Sequence, residues 1–188
     1  HYFPVFPYTS FTKVSNDDLL AIKAYLFALD PVVKEATPNE MMFPFNIRFL
    51  QLGWKILFFR AGYFKADPDL PEKINRGKYL VEGLGHCAEC HSPRNIFGAV
   101  KKKYALTGGF VDGYYAPDIT TYGIGDSPIA EVVAVFKEGK KLRGAGYVEG
   151  PMKDVDHNSL EYLTDYDLEA IAEYLKRVEG KMHHDVSE

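Results

Sequence analysis

Cys87-Ala-Glu-Cys90-His91 is a C-x-x-C-H pattern, the spacing used to attach haem covalently. Two residues between the cysteines let both thiols reach the two vinyl groups along one edge of a porphyrin. The histidine next in sequence then projects under the ring to bind iron. Two other readings compete for the same residues. A thioredoxin-like redox pair also uses C-x-x-C, but it follows a strand in a βαβ setting, whereas the flanks here read as helical and glycine-rich. A zinc site needs four ligands, usually a second pair at matching spacing, and the adjacent His183 and His184 are badly spaced for that. The motif predicts one haem c in this chain, with His91 on its iron.

An iron that only carries electrons takes a sixth ligand, and methionine is the usual one because its thioether raises the potential. Of the four methionines, Met41 and Met42 precede the motif and Met182 lies near the end of the chain. Met152 falls in the Gly144 to Asn158 segment, read as a loop able to wrap over the far face of a porphyrin, and is the expected ligand. The competing reading is that it fills core space, as methionines commonly do. His157 is the reserve ligand, and His86 is too close to Cys87 to reach an axial position. Pro93 and Arg94 follow the motif directly, which offers Arg94 to a haem propionate; an exposed arginine is the competing reading, nearly equal in weight. Tyr79, Leu80 and Leu84 are expected to pack on the ring or on the last helix. Tyr114, Tyr115 and Ile119 are candidates for the pocket edge.

The rest of the composition sets bounds. The chain has 188 residues, 46% of them hydrophobic and 14% aromatic, ample for a buried core. A net charge of −4 argues against nucleic acid and anionic membrane, both of which reward a basic face, and permits steering toward a basic patch on a partner. No apolar run approaches the roughly 20 residues that span a bilayer; Met41 to Phe59 comes nearest, interrupted by Arg48, Gln51 and Lys55. Two cysteines three positions apart make no disulfide framework. The opening at His1, inside an aromatic and proline-bearing stretch, reads as that of a longer protein.

Helical spacing supplies the elements that must position the motif. Ser15 with Asp18 three residues on resembles a capping box, and Leu19, Ile22, Leu26 and Leu29 follow on one face until Pro31. Phe45 to Phe59 is a second candidate helix, and Lys73 to Leu84 a third that runs into the cysteines. Long loops are expected from Ser92 to Gly125 and from Leu142 to Asn158. A short helix is expected at Ala130 to Lys137, with Pro128 suited to its start. The last helix begins at Thr164 and carries Leu168, Ile171, Tyr174 and Leu175.

Asp18-Leu-Leu-Ala-Ile-Lys-Ala-Tyr-Leu26 aligns without a gap on Asp167-Leu-Glu-Ala-Ile-Ala-Glu-Tyr-Leu175, with Ser15 on Thr164 and Phe11 on Leu160. Amphipathic helices often look alike, but here the cap and aromatic positions repeat too, which favours duplication of one unit. The expected organisation is the final helix region of a preceding domain at 1–34 and a connector with an amphipathic helix at 35–71. A haem domain at 72–180 and a tail at 181–188 follow.

With these residues in view the sequence resembles a known family: the cytochrome c subunits of membrane-associated bacterial alcohol and gluconate dehydrogenases, and related periplasmic multihaem cytochromes. The resemblance is carried by Asn75-Arg-Gly-Lys-Tyr79-Leu80-Val, Gly83-Leu-Gly-His-Cys87, His91-Ser-Pro-Arg94-Asn95, Ala116-Pro-Asp-Ile119-Thr120 and Gly150-Pro-Met152. Phe6 to Lys13 and Phe43 to Phe59 match the end of a preceding haem domain and the connector. It implies an all-α fold of the class I cytochrome c type, His91 and Met152 on iron, and an upstream domain with its own C-x-x-C-H. It also implies redox partner proteins (a dehydrogenase, an oxidase or another cytochrome), with membrane association only through partners or a missing segment. Many relatives place the preceding haem's methionine near Phe6; this chain has phenylalanine there.

The expected function is electron transfer, not catalysis, in a bacterial periplasm, because covalent haem attachment takes place outside the cytoplasm. Two other classes stand beside it. One is a haem enzyme or a gas or redox sensor with an open or switchable sixth position, which a permanent methionine ligand opposes. The other is a structural domain stapled by its haem.

Overall fold

A computed structural model describes residues 1–38 and 40–181; Met182, His183, His184 and all of the expected tail except Lys181 lie outside them. The chain divides into two compact units, His1–Lys65 and Ala66–Glu188.

The first unit contains helices α1 (Tyr8–Phe11), α2 (Asn16–Ala28) and α3 (Leu50–Phe58). Tyr8 is its hub: the rings of Trp54 and Phe59 meet it edge-on at 6.0 and 5.2 Å, and the Lys55 ammonium lies 5.0 Å from its centroid. The Phe64 N–H donates to the Lys13 carbonyl, closing the unit. Helix α2 starts as its sequence dictates, with Ser15 Oγ accepting from the Asp18 N–H at 3.1 Å, and it stops three residues before Pro31. None of its residues is buried. Helix α3 is shorter than the expected 45–59. Pro44 has no N–H to give, and the chain enters through successive tight turns, Phe45 to Met42 and Ile47 to Pro44.

The second unit is built on α4 (Glu72–Tyr79), crossed by α8 (Asp165–Leu175). Gly77 makes this crossing possible, because a methyl group there would overlap the Ala170 carbonyl. Ile74, Leu168, Ala170, Ala172 and Leu175 are almost fully buried around it. Arg76 clamps Asp167 with two bonds of 2.8 and 2.9 Å, and Lys73 bridges Glu169 and Glu173 at the rim. Asn75 fastens the preceding turn by donating to the Asp67 and Leu70 carbonyls and accepting from the Asp67 N–H. Thr164 Oγ1 caps α8 by accepting from Asp167 N–H, and Lys176 closes its far end on the Gly125 and Ser127 carbonyls.

Two expectations are corrected. The fold is helical but not all-α: β1 (Gly109–Val111) and β2 (Tyr114–Ala116) form an antiparallel hairpin pairing Gly109 with Ala116 and Val111 with Tyr114. Its two-residue turn, Asp112-Gly113, has positive φ at both positions, the geometry that matches strand twist. The 142–158 stretch is not all loop either, because α7 (Pro151–Asn158) occupies its second half. Short α5 (Thr121–Ile124) and α6 (Ile129–Glu138) complete the unit. Among the described residues no helix is long and apolar enough to cross a membrane.

Candidate haem site

Helix α4 does not end cleanly. It widens into a π-type turn over Leu80–Leu84, closed by the Gly85 N–H on the Leu80 carbonyl at 2.7 Å. The chain then takes a left-handed step at His86 and tightens into a 3₁₀ turn over Cys87–Glu89. The His91 N–H donates to the Cys87 carbonyl at 2.9 Å. The motif is thereby wound into one compact loop that holds Cys87, Cys90 and His91 in fixed order.

His91 is only 8% exposed. Its Nδ1 lies 2.7 Å from the Pro117 carbonyl oxygen. A carbonyl can only accept, so Nδ1 carries the proton. Burial lowers the pKa of the ring, partly opposed by this hydrogen bond. The result is a neutral imidazole whose Nε2 lone pair is left for a ligand, the tautomer that metal-binding histidines adopt.

His91 and Cys90 face a cavity of about 510 Å³, within the size range of small-molecule and cofactor sites. Its walls are mainly apolar: Val132, Val135 and Phe136 from α6, Tyr114 and Tyr115 from the hairpin, and Ile119 with Leu142. Met152 lines it from α7. Gly150, at a positive φ, caps that helix and lies against the Tyr114 ring, leaving no room for a side chain. The residues at the cavity therefore fit a flat apolar group reached at one edge by the Cys90 thiol, with one nitrogen and one thioether available as ligands; Cys87, at the start of the same turn, does not line the cavity itself.

The alternatives for the cysteine pair fare worse. Desolvation pushes the Cys87 thiol up to about 12, and burial raises Cys90 as well. A redox-active C-x-x-C pair needs the opposite, a depressed pKa that yields a thiolate. No three His, Cys, Asp or Glu side chains among the described residues group closely enough to hold a metal ion.

The other sequence candidates separate. Ile119, Tyr114 and Tyr115 line the cavity with Met152. Arg94 is turned to the cysteine loop and the turn after it, where it donates to the Glu89 carbonyl and carboxylate and to the Gly98 carbonyl. Pro93 accepts from the Lys101 N–H. Tyr79 is buried, with the Arg76 guanidinium 5.8 Å from its ring, and does not line the cavity that His91 faces. His157 pairs with Glu161 and faces a different cavity from that of His91. Sequence reasoning quoted Pro117 within the Ala116 to Thr120 stretch but gave it no role, because it acts through its carbonyl and so leaves no side-chain signature. It also missed the α6 wall, which the apolar spacing of Val132, Val135 and Phe136 could have revealed.

No family model matches the chain. It is 42% identical over 184 residues to a nicotinate dehydrogenase subunit of Pseudomonas putida, covering 96% of this chain and 15% of that protein. A dihaem c-type cytochrome of Cereibacter sphaeroides is 40% identical over 182 residues, 95% of this chain and 60% of its own length. The fructose dehydrogenase cytochrome subunit of Gluconobacter japonicus is 33% identical over 184 residues, 95% of this chain and 37% of that protein. The chain thus spans less than two thirds of the length of each.

Proposed function

We propose that this chain, a homologue over some 95% of its length of the cytochrome c subunits of bacterial dehydrogenases and of a dihaem cytochrome c, is an electron carrier holding one haem c on His91 and Met152. The observation that carries the reading is the Pro117 bond to His91, which commits Nε2 to a cavity that Met152 also lines. Cys87 and Cys90 hold the group by thioether bonds. When bound, haem c supplies a one-electron Fe(III)/Fe(II) couple whose potential its axial ligands and surroundings set.

The chain's own contribution is to hold and to exclude. Pro117 fixes the His91 ring. The α6 wall, Ile119, Tyr114 and Tyr115 keep water from the cavity, which lowers the reorganisation that accompanies a change of charge. Arg94 braces the attachment loop through Glu89 and Gly98. Residues 1–34 close a preceding cytochrome c-like domain, 35–71 connect it, and 72–180 form the haem domain. A dehydrogenase donates the electrons and a respiratory acceptor takes them, in the periplasm or on the periplasmic face of a membrane.

Optical spectra of the oxidised and reduced protein, with a pyridine haemochrome assay, test this. One covalent haem c at the Cys87 motif, low-spin in both states and with the weak red sulfur-to-iron band, is the expected result. A high-spin spectrum that shifts with carbon monoxide or peroxide overturns it in favour of an open-iron enzyme or sensor.

A further inference from the structure

Haem c carries two propionate carboxylates at the edge away from its vinyl groups, and a mainly apolar cavity that takes it in must answer their charge. Arg94, the sequence candidate, is occupied by Glu89 and Gly98 and does not line the cavity that His91 faces. Two other cations do, Lys141 and Arg143. Lys141 is paired with Glu149 at 3.1 Å. Asp118, also on the wall, turns its carboxylate to the Thr120 N–H and hydroxyl. Arg143 is different. Its Nε donates to the Ser127 hydroxyl at 3.0 Å, and its two terminal amino groups have no partner among the described residues.

The loop between α6 and α7 fixes this arginine in place. The Lys141 N–H donates to the Gly146 carbonyl at 3.0 Å, and the Val148 N–H to the Gly139 carbonyl at 2.7 Å. Arg143 sits at the tip in the left-handed region, at φ 54°, a conformation that disfavours a residue with a side chain. Strain of this kind collects at ligand clamps. Its anchor is firm as well. Ser127 is 3% exposed, its N–H donates to the Ile124 carbonyl, and Lys176 donates to its own carbonyl. The α6 wall, the Arg143 guanidinium and Met152 therefore lie on one continuous stretch of chain, all of it facing the same cavity.

We propose that Arg143 is a positioning residue for the haem: Ser127 holds its Nε while its terminal amino groups donate to a propionate. The inference rests on the reading of this cavity as a haem site and adds the group that fixes the ring's far edge. An arginine suits the task better than a lysine, because its flat fork offers parallel N–H bonds to a carboxylate. With one N–H tied to Ser127, the fork has little freedom left to lose. Its charge also bears on the iron. Fe(III) haem carries one more positive charge than Fe(II), so a fixed cation beside the ring favours the reduced state and raises the potential.

The test is Arg143→Gln in the full chain carrying its haem, beside Arg143→Lys, Lys141→Gln and Arg94→Gln. Resonance Raman reads the propionate bending band, and an optical redox titration reads the midpoint potential. Arg143→Gln should shift the band and lower the potential while the haem stays covalent and low-spin. Arg143→Lys should recover most of the potential but not the band, because the charge returns without the fork. Lys141→Gln and Arg94→Gln should leave the band in place. If Arg143→Gln moves neither the band nor the potential, the proposal is overturned and the haem reading stands. The same holds if Lys141→Gln or Arg94→Gln moves the band instead. A parent protein without covalent haem overturns both.

Discussion

At the scale of single residues, the site depends on groups placed where their ordinary chemistry is altered. His91 is held neutral and in one tautomer by burial and by Pro117, which makes its role a matter of geometry, not of pH. Met152 is different, because α7 alone delivers it. Met152→Ala should keep the haem covalently bound and abolish the red sulfur-to-iron band. It should also lower the midpoint potential by on the order of 0.1 V, a fraction of the ~0.8 V range that axial ligands span; redox titration followed optically reads both. One turn further along α7, Asp156 is 4% exposed, and its carboxylate accepts no hydrogen bond among the described residues. Lys137, Lys153 and His157 share its cavity with Glu138, Glu149 and Glu161, yet desolvation still raises its pKa to about 7. A carboxyl raised in the folded state holds its proton there while the unfolded chain releases it near 3.9. Its contribution to stability is therefore full below about pH 4 and lost as pH rises through about 7. Asp156→Asn cannot ionise, so it should flatten that decline and leave the protein more stable than the parent at pH 8, as measured by urea midpoints from pH 4 to 8.

At the scale of elements, the α4–α8 crossing is the joint on which the Cys87–His91 loop hangs, and Gly77 is its tightest point. Replacing glycine by alanine in an exposed helix gains about 1 kcal/mol in propensity. Here the new methyl would press on the Ala170 carbonyl, and overpacking costs about 1–3 kcal/mol, so the clash wins. Gly77→Ala should lower the chemical-denaturation midpoint, whereas Gly53→Ala, with open space around it in α3, should not. This crossing was half legible in the sequence. The caps at Ser15 and Thr164 and the apolar stripe of α8 could be read directly, because capping and periodicity are local. That Arg76 meets Asp167 could not, since nothing local relates residues so far apart. Helix α7 escaped because its residues, Pro-Met-Lys-Asp-Val-Asp-His-Asn, are mostly polar and follow Gly144, Gly146 and Gly150, which read as loop. Its signal was Pro151 immediately after a glycine, a helix start. The hairpin carried a plain signal in Asp112-Gly113, hidden only by the shortness of its strands. Of the candidate site, the thiols, His91 and Met152 were named by type and spacing. Pro117 was not, because a backbone carbonyl has no residue identity.

At the scale of the whole molecule, the chain divides between Lys65 and Ala66, and the two compact units differ in how they satisfy their own surfaces. The second unit buries the apolar face of α8 and holds every residue proposed to bind haem. Its core residues Ile74, Leu80, Val81, Leu168 and Leu175 come from its own helices. The first buries Tyr8 and Val14 but leaves the whole of α2 without a buried residue, a small core for 65 residues. Independence should follow this asymmetry. Residues 66–188 produced alone, with the haem-attachment machinery present, should take up one covalent haem and give the same oxidised and reduced spectra as the full protein. Their thermal transition should be single and cooperative. Residues 1–65 alone should give a broad transition and bind a hydrophobic dye such as ANS, since Leu19, Ile22 and Leu26 have no cover. If the 66–188 fragment instead loses its low-spin spectrum, His91 and Met152 are not sufficient within that unit, and the first unit must contribute to holding the haem.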